Sequence, residues 1–349
     1  FVINQARKPK ATRRADHEQR RCKPDKFHGP WLHCPLFSAW RLQCEPGGLR
    51  FHRIMMRRGG KTMEQDKKLI IAGLGYAGRA VAEAALAAGW RVVATSRQPE
   101  RLTAPAGVAV IGFDQAGAAF AAATHWLITT PPDEAGDPVL HRHADALASG
   151  KPRWIGYLST TGVYGDRAGG EVDEATPPAP GQARSQRRLA AEEAWRAARP
   201  AETALDLCRV GGIYGPGRAP FAELRAGVAR RVVKPGHSFS RIHCDDIAHA
   251  VMAAISNTPS PGCRVLNFVD DEPAASADVM AEAARLLGIA PPPAIPFEEA
   301  RASMSPMALS FWAENRRVAN AATKAALGIE WRYPSYREGL AASLAEERC

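Results

Sequence analysis

Lys68-Leu69-Ile70-Ile71-Ala72-Gly73-Leu74-Gly75-Tyr76-Ala77-Gly78-Arg79-Ala80-Val81 decides how the rest of the chain is read. Leu69 to Ala72 is an apolar run of the length of a buried strand. Gly73-x-Gly75-x-x-Gly78 follows as a turn, and Arg79 to Ala88 has helical composition and stops at Gly89. Strand, glycine turn and helix in this order suit a pyrophosphate. The first glycine permits the tight turn, the second lets the backbone approach phosphate, and the third packs helix on strand. The helix N-terminus offers free N–H groups and the positive end of its dipole. Tyr76 and Ala77, between the glycines, are read with them as part of a dinucleotide site.

The chain has 349 residues and a formal net charge of +10. That charge is local. Residues 1–62 hold 15 of the 46 Lys and Arg but only 4 of the 36 Asp and Glu, which leaves 31 basic and 32 acidic residues in 63–349. A near-neutral body argues against a nucleic-acid surface on the folded part. Residues 1–62 are rich in Arg, Lys, His, Pro and Trp and show neither helical nor strand periodicity. They are expected to be a disordered or non-native leader before a natural start at Met63. The alternative is a basic arm that touches nucleic acid or membrane. Gly59-Gly60-Lys61-Thr62 resembles the end of a phosphate loop, but Met55 stands where that motif needs its first glycine. Seven cysteines without a Cys-x-x-Cys pair point to reduced thiols and a cytoplasmic setting, and their spacings fit no zinc site. The longest uncharged run, Gln115 to Pro132, contains His125 and a Pro-Pro pair, so no membrane span is expected.

From Met63 onward, short apolar runs alternate with helical ones. Strands are expected at Leu69–Ala72, Arg91–Thr95, Val108–Ile111, His125–Thr129 and Trp154–Leu158, with helical segments between them. This pattern specifies an α/β fold, a Rossmann-type doubly wound parallel sheet with ligand at the carboxyl ends of the strands. After a polar loop come a helix at Ser185–Ala198, a strand at Thr203–Cys208, a helix at Cys244–Ile255 and a strand at Val265–Val269. Helices at Ser276–Leu287 and Asn315–Leu327 and a terminal helix from Ser335 complete the chain. A small C-terminal substrate-binding region is expected from about 163–184, 209–243 and 290–349.

The end of the second strand reads Ala94-Thr95-Ser96-Arg97 and lacks the acid that would bond a ribose 2′-hydroxyl. A guanidinium there pairs bidentately with a 2′-phosphate, so Ser96 and Arg97 favour NADP over NAD. Asp114, after the third strand, is placed to accept from an adenine amine or to cap a helix.

Four segments follow the glycine motif's lead in order: Gly73-x-Gly75-x-x-Gly78, Leu158-Ser159-Thr160-Thr161-Gly162-Val163-Tyr164-Gly165, Arg209-Val210-Gly211-Gly212-Ile213-Tyr214-Gly215-Pro216-Gly217 and Arg241-Ile242-His243-Cys244-Asp245-Asp246-Ile247-Ala248. From about Met63 to the C-terminus the chain resembles an extended short-chain dehydrogenase/reductase of the NAD-dependent epimerase/dehydratase type. The resemblance implies that Thr130 and Pro131 lie beside the nicotinamide ribose, that Gly212 and Ile213 lie near the nicotinamide, and that Thr160 is the active-site Ser/Thr. It departs from that family at the catalytic pair. Where Tyr-x-x-x-Lys is expected the sequence has Arg184 and Arg188, and no tyrosine in the chain is followed four residues later by lysine. Arginine can hold a ribose hydroxyl, which keeps Arg188 in the cofactor set, but it is no proton donor near neutral pH. In this respect the chain resembles atypical members of the superfamily. Tyr164 is then the candidate substitute acid beside Thr160.

Arg209, Arg241 and His243, with Arg316 and Arg317, fall in the family's substrate region. They suit an anionic or sugar-nucleotide small molecule, unless Arg241 and His243 serve Asp245 and Asp246 and cap the next helix. Three functions remain open at this stage: an NADP-dependent oxidoreductase or epimerase with altered catalytic residues, a non-catalytic NADP(H) sensor or interaction module, and a nucleic-acid partner acting through residues 1–62. No metal is expected, and a homodimer is possible on the pattern of related proteins.

Overall fold

The computed structural model describes residues 40–45, 48–53 and 67–347, in two units, Phe1–Lys61 and Thr62–Cys349. In the first unit, Trp40–Glu45 pairs antiparallel with Gly48–Arg53, Leu42 standing opposite Phe51. This hairpin corrects the reading of 1–62 as free of strand structure. The rest of that region, and the expected start at Met63, lie outside the described residues.

The second unit is built on seven parallel strands: β1 (Lys68–Ala72), β2 (Arg91–Ser96), β3 (Ala109–Gly112), β4 (His125–Ile128), β5 (Trp154–Thr160), β6 (Ala204–Val210) and β7 (Gly262–Phe268). Their order across the sheet is β7-β6-β5-β4-β1-β2-β3. The order reverses between β1 and β4, so a crevice opens at their carboxyl ends. Alternation along β1 explains its burial on both faces. Leu69 and Ile71 join a cluster with Val81, Val251 and Phe268, while Ile70 and Ala72 join Phe120, Trp126, Tyr157 and Trp195 on the other side. The helices that cover the faces are α1 (Tyr76–Ala87), α2 (Gly117–Ala122), α3 (Pro138–Gly150), α4 (Ala183–Ala198) and α5 (Cys244–Ser256).

Buried charge ties the later strands together. Asp206 on β6 accepts from Trp154 Nε1 of β5 at 2.8 Å and pairs with Arg264 of β7 at 2.8 Å. The C-terminal part adds α6 (Ser276–Leu287), α7 (Pro306–Trp312), α8 (Ala321–Leu327) and α9 (Tyr336–Glu346). Ser335 caps α9 in a reciprocal box with Glu338, and Asp246 of α5 accepts from the backbone N–H groups of Arg332 and Tyr333.

The expected helix at Asn315–Leu327 is only half present. Arg317–Val318 is a short strand parallel to Glu171–Val172, and the helix begins at Ala321. The amides of Arg317 and Ala319 donate to Gly170 and Val172, so a non-local ladder outweighs local helical preference. No helix among the described residues is long and apolar enough to cross a membrane.

Candidate functional site

Each glycine of the turn after β1 meets a different environment. Gly73 has φ of +93°, and a side-chain carbon on it would lie 2.9 Å from Thr129 Oγ1. Gly75 faces open space, with nothing within 4 Å of such a carbon. Gly78 is packed, since a carbon there would stand 2.7 Å from the carbonyl oxygen of Gly73 and 3.3 Å from Ile71. These are the turn, the approach surface and the helix-to-strand contact that a pyrophosphate site requires. Gly75 is the N-cap of α1, no side chain caps the helix, and its first turn holds no acid. Its N–H groups are therefore free for an anion. Ala77 is buried under the turn, whereas Tyr76 reaches out, donates to the Pro216 carbonyl at 2.9 Å and lies under the Arg218 guanidinium.

At the end of β2, Ser96 Oγ accepts from the Gln98 amide, and Arg97 is exposed with no ion pair among the described residues. Asp114 follows β3 as an exposed carboxylate 3.5 Å from Arg142; it does not cap α2, whose N-cap is Ala116 with no side-chain cap. Thr130, at the end of β4, has a buried Oγ1 with no hydrogen-bond partner, and Pro131 beside it is exposed. The open face at Gly75, the uncapped helix and the orphaned Thr130 hydroxyl fit a dinucleotide lying across the crevice.

Next to the crevice lies a cleft of about 370 Å³. Its walls come from the end of β5 (Thr160 to Gly162), the start of α4 (Gln182, Arg184, Ser185), the end of β6 with Gly212, and residues from 238–241 and 310–318. Ile213 continues from Gly212 in a short strand paired with Arg241–His243. Thr160 Oγ1 accepts from the Gly162 amide at 3.1 Å and makes no other hydrogen bond among the described residues, so its own hydrogen is free. Ser185 is the residue that sequence reasoning missed. A side-chain carbon on Gly162 would lie 2.5 Å from its Oγ and 3.4 Å from Thr160 Oγ1, so the two hydroxyls flank the same point. Ser185 follows Arg184, at the start of the register where the family carries Tyr-x-x-x-Lys, and no motif of its own marks it. Arg188 donates through Nη1 to the Leu158 carbonyl at 2.7 Å and to the Tyr157 hydroxyl at 3.3 Å, which holds α4 against β5.

Three expected site residues are instead structural. Tyr164 is fully buried, donates to Asn267 Oδ1 at 2.8 Å and carries the Arg209 guanidinium over its ring. Burial raises its pKa, and its hydroxyl faces the core rather than the cleft, which removes it as a substitute acid. Arg209 is 2% exposed and pairs with Glu192 at 2.8 Å, so it is not available to a substrate. Glu192 also accepts from Ser159 Oγ, and the three residues lock β5, β6 and α4 together. His243 is completely buried. Its Nδ1 accepts from the Asp245 amide as the cap of α5, and its Nε2 meets Ser343 Oγ at 3.1 Å. Burial holds its pKa below the usual histidine range. The capping alternative therefore holds for His243.

Arg241 does line the cleft, but it is bound to the Phe239 and Ala274 carbonyls at 2.9 and 2.8 Å rather than to Asp245 or Asp246. Arg316 lines it too and is paired with Glu314 at 2.8 Å. Arg317 is exposed near Asp270 in a separate cleft.

No family model matches the sequence. Protein YeeZ of Escherichia coli is 30% identical over 245 residues, which cover 65% of this chain and 86% of that protein. A 3-diazoavenalumate denitrifying reductase from Streptomyces is 32% identical over 185 residues, 48% of this chain; the match spans 58% of the reductase's length. Among solved structures, a conserved protein of unknown function from Silicibacter pomeroyi is 43% identical, with a TM-score of 0.73 over 81% of this chain and all of that one. A structure from Methylobacillus flagellatus, assigned provisionally to the NAD-dependent epimerase/dehydratases, is 25% identical with a TM-score of 0.62 over 81% of this chain and 99% of that one. The human epimerase family protein SDR39U1 with NADPH shares the fold at 19% identity and a TM-score of 0.61, over 78% of this chain and 98% of its own. At 30% identity over 86% of that protein's length, and with the glycine turn and parallel sheet of its structural neighbours, the chain belongs to the family of Protein YeeZ, within the NAD(P)-binding epimerase/dehydratase-like Rossmann proteins.

Proposed function

We propose that the protein is an NADP(H)-dependent oxidoreductase acting on a small molecule, with a hydroxyl pair in place of the Tyr-x-x-x-Lys relay. The observation that carries the reading is the division of labour among Gly73, Gly75 and Gly78, with open space at the second glycine alone. The reductase named among the relatives supports the reaction class. The unpaired, exposed Arg97 at the end of β2 supports the 2′-phosphate.

When bound, the dinucleotide supplies or accepts a hydride. The chain's own part is to bind and to polarise. The α1 N-terminus takes the pyrophosphate, Arg97 the 2′-phosphate, and Thr130 a ribose hydroxyl. Thr160, its oxygen held by the Gly162 amide, donates its hydrogen into the cleft, and Ser185 does so from the facing helix. Two hydroxyl donors lining one cleft can stabilise negative charge that develops on a substrate oxygen. The loss of the usual tyrosine and lysine favours a second reading, an NADP(H)-binding sensor that does not turn over.

Calorimetric titration of the full chain with NADPH and with NADH tests the site. NADPH is expected to bind more tightly, and Arg97→Ala to weaken NADPH by about tenfold or more while sparing NADH. Equal losses for both cofactors would discard the 2′-phosphate assignment, and binding of neither would discard the enzyme.

A further inference from the structure

The cleft beside the crevice contains two groups left without partners. Arg184, on the first turn of α4, makes no hydrogen bond or ion pair among the described residues; its guanidinium lies 5.2 Å over the ring of Phe311 on α7. Phe311 is 50% exposed, an apolar plate facing the same cleft. Glu314 is the second group. Its side chain is 8% exposed, and Oε2 is taken by Arg316, yet its buried Oε1 has no hydrogen-bond partner. A carbon on Gly181, which precedes α4, would lie 3.3 Å from that oxygen. So Oε1 points back toward the element that carries Arg184.

A buried acceptor without a donor is destabilising, and a ligand that donates to it relieves the cost. The Arg184 guanidinium is exposed at the cleft, and desolvation and then the neighbouring Arg188 charge lower its pKa, so a bound anion would be a favourable partner for it. The exposed Phe311 ring on the same cleft favours a flat body, since a guanidinium that lies over an aromatic face leaves its edge N–H groups free for an oxyanion.

We infer that the cleft takes a ring-bearing oxyanion, a carboxylate or a phosphate ester, with its anion on Arg184, its ring against Phe311 and a hydroxyl or amino group donating to Glu314. Neither Arg184 nor Glu314 belongs to the substrate set suggested by the sequence, and Arg184 reads substrate identity rather than cofactor. The inference rests on the oxidoreductase reading only in naming the ligand as substrate; the anion subsite stands or falls by itself.

The test uses the full chain, with and without saturating NADP⁺, and four probes: 4-hydroxybenzoate, benzoate, phenyl phosphate and the neutral benzamide. Affinities are read by saturation-transfer NMR. The wild type is expected to bind at least one of the anions and to bind benzamide at least tenfold more weakly. The tighter of benzoate and phenyl phosphate identifies the source of the oxyanion. Arg184→Ala should lose about tenfold for the anions, Arg184→Lys should recover part of it, and Glu314→Gln should weaken 4-hydroxybenzoate more than benzoate. NADPH affinity, measured on the same variants, should stay unchanged. Benzamide binding equal to benzoate, anion affinity unaffected by Arg184→Ala, or no binding of any probe would each overturn the proposal. Arg184-dependent anion binding in a protein that binds no NADP(H) would overturn the oxidoreductase reading and leave the anion subsite standing.

Discussion

Thr160 and Ser185 bring two hydroxyls to one cleft, and only that of Thr160 has its acceptor side satisfied among the described residues. Thr160 Oγ1 accepts from the Gly162 amide at 3.1 Å, and Thr160 lines the cleft with its own hydrogen unengaged among the described residues. Thr160→Val, which keeps shape and removes the donor, is expected to lower kcat for NADPH oxidation about a hundredfold without changing NADPH affinity. Ser185→Ala should cost less, because no backbone group fixes its Oγ. Undiminished turnover in both variants would sink the hydroxyl pair. At this scale the sequence was only partly legible. Thr160 was readable because it sits in an ordered motif, Thr160-Thr161-Gly162-Val163-Tyr164-Gly165. Ser185 carries no motif of its own. Tyr164, Arg209 and His243 had the right chemistry at plausible positions, but nothing local in the sequence reveals Asn267, Glu192 or Ser343, the distant partners that engage them.

The glycine turn is the element on which the proposed cofactor binding rests, and its three glycines separate a packing role from a binding one. Gly75 has φ of −80° and ψ of −166°, a conformation alanine adopts, and the added carbon meets nothing. Gly75→Ala should therefore leave the thermal midpoint within a degree or two while blocking the approach of the pyrophosphate, with NADPH affinity down by roughly tenfold or more. Gly78→Ala drives a carbon into the Gly73 carbonyl and should cost on the order of 1–3 kcal/mol in stability. A Gly75→Ala protein that bound NADPH normally would contradict the assignment of this turn. Elements like this one were legible because each strand of the sheet is a short apolar run between glycine and helix signals. The strand at Arg317–Val318 was not, since it exists only through the amides it lends to Gly170 and Val172.

For the Thr62–Cys349 unit as a whole, titration of its buried carboxyls sets the alkaline limb of stability. Asp270, at the end of β7, is 1% exposed and neither oxygen has a hydrogen-bond partner. Burial is the main cause that pushes its pKa up to about 8; the Arg241 charge opposes the rise, and the Asp271 charge adds to it. Asp246 is pushed up to about 6, again by burial. A folded pKa above the unfolded one means that the folded state holds a proton the unfolded chain has released. The contribution is full below about pH 4 and is lost as pH rises, through about 6 for Asp246 and about 8 for Asp270. The buried His143, His237 and His243, with lowered pKa values, act the other way, losing stability as pH falls below 6.5. Between pH 6.5 and 8 the Asp270 slope should dominate. Urea unfolding is expected to show falling stability over that range in the wild type and a flatter profile in Asp270→Asn, which should be the more stable protein at pH 8 by about 1–3 kcal/mol. Identical slopes in the two proteins would contradict this account of Asp270.

The pairing of Glu171–Val172 with Arg317–Val318 has a consequence for synthesis. All seven strands of the sheet and the turn at Gly73 lie before residue 270, whereas Arg184 and Ser185 stay on an open face until residues 311–318 arrive to form the opposite wall. On the ribosome, the nucleotide crevice can be complete while the cleft is still missing its far side. The order of emergence thus builds the general binding surface first and the selective one last.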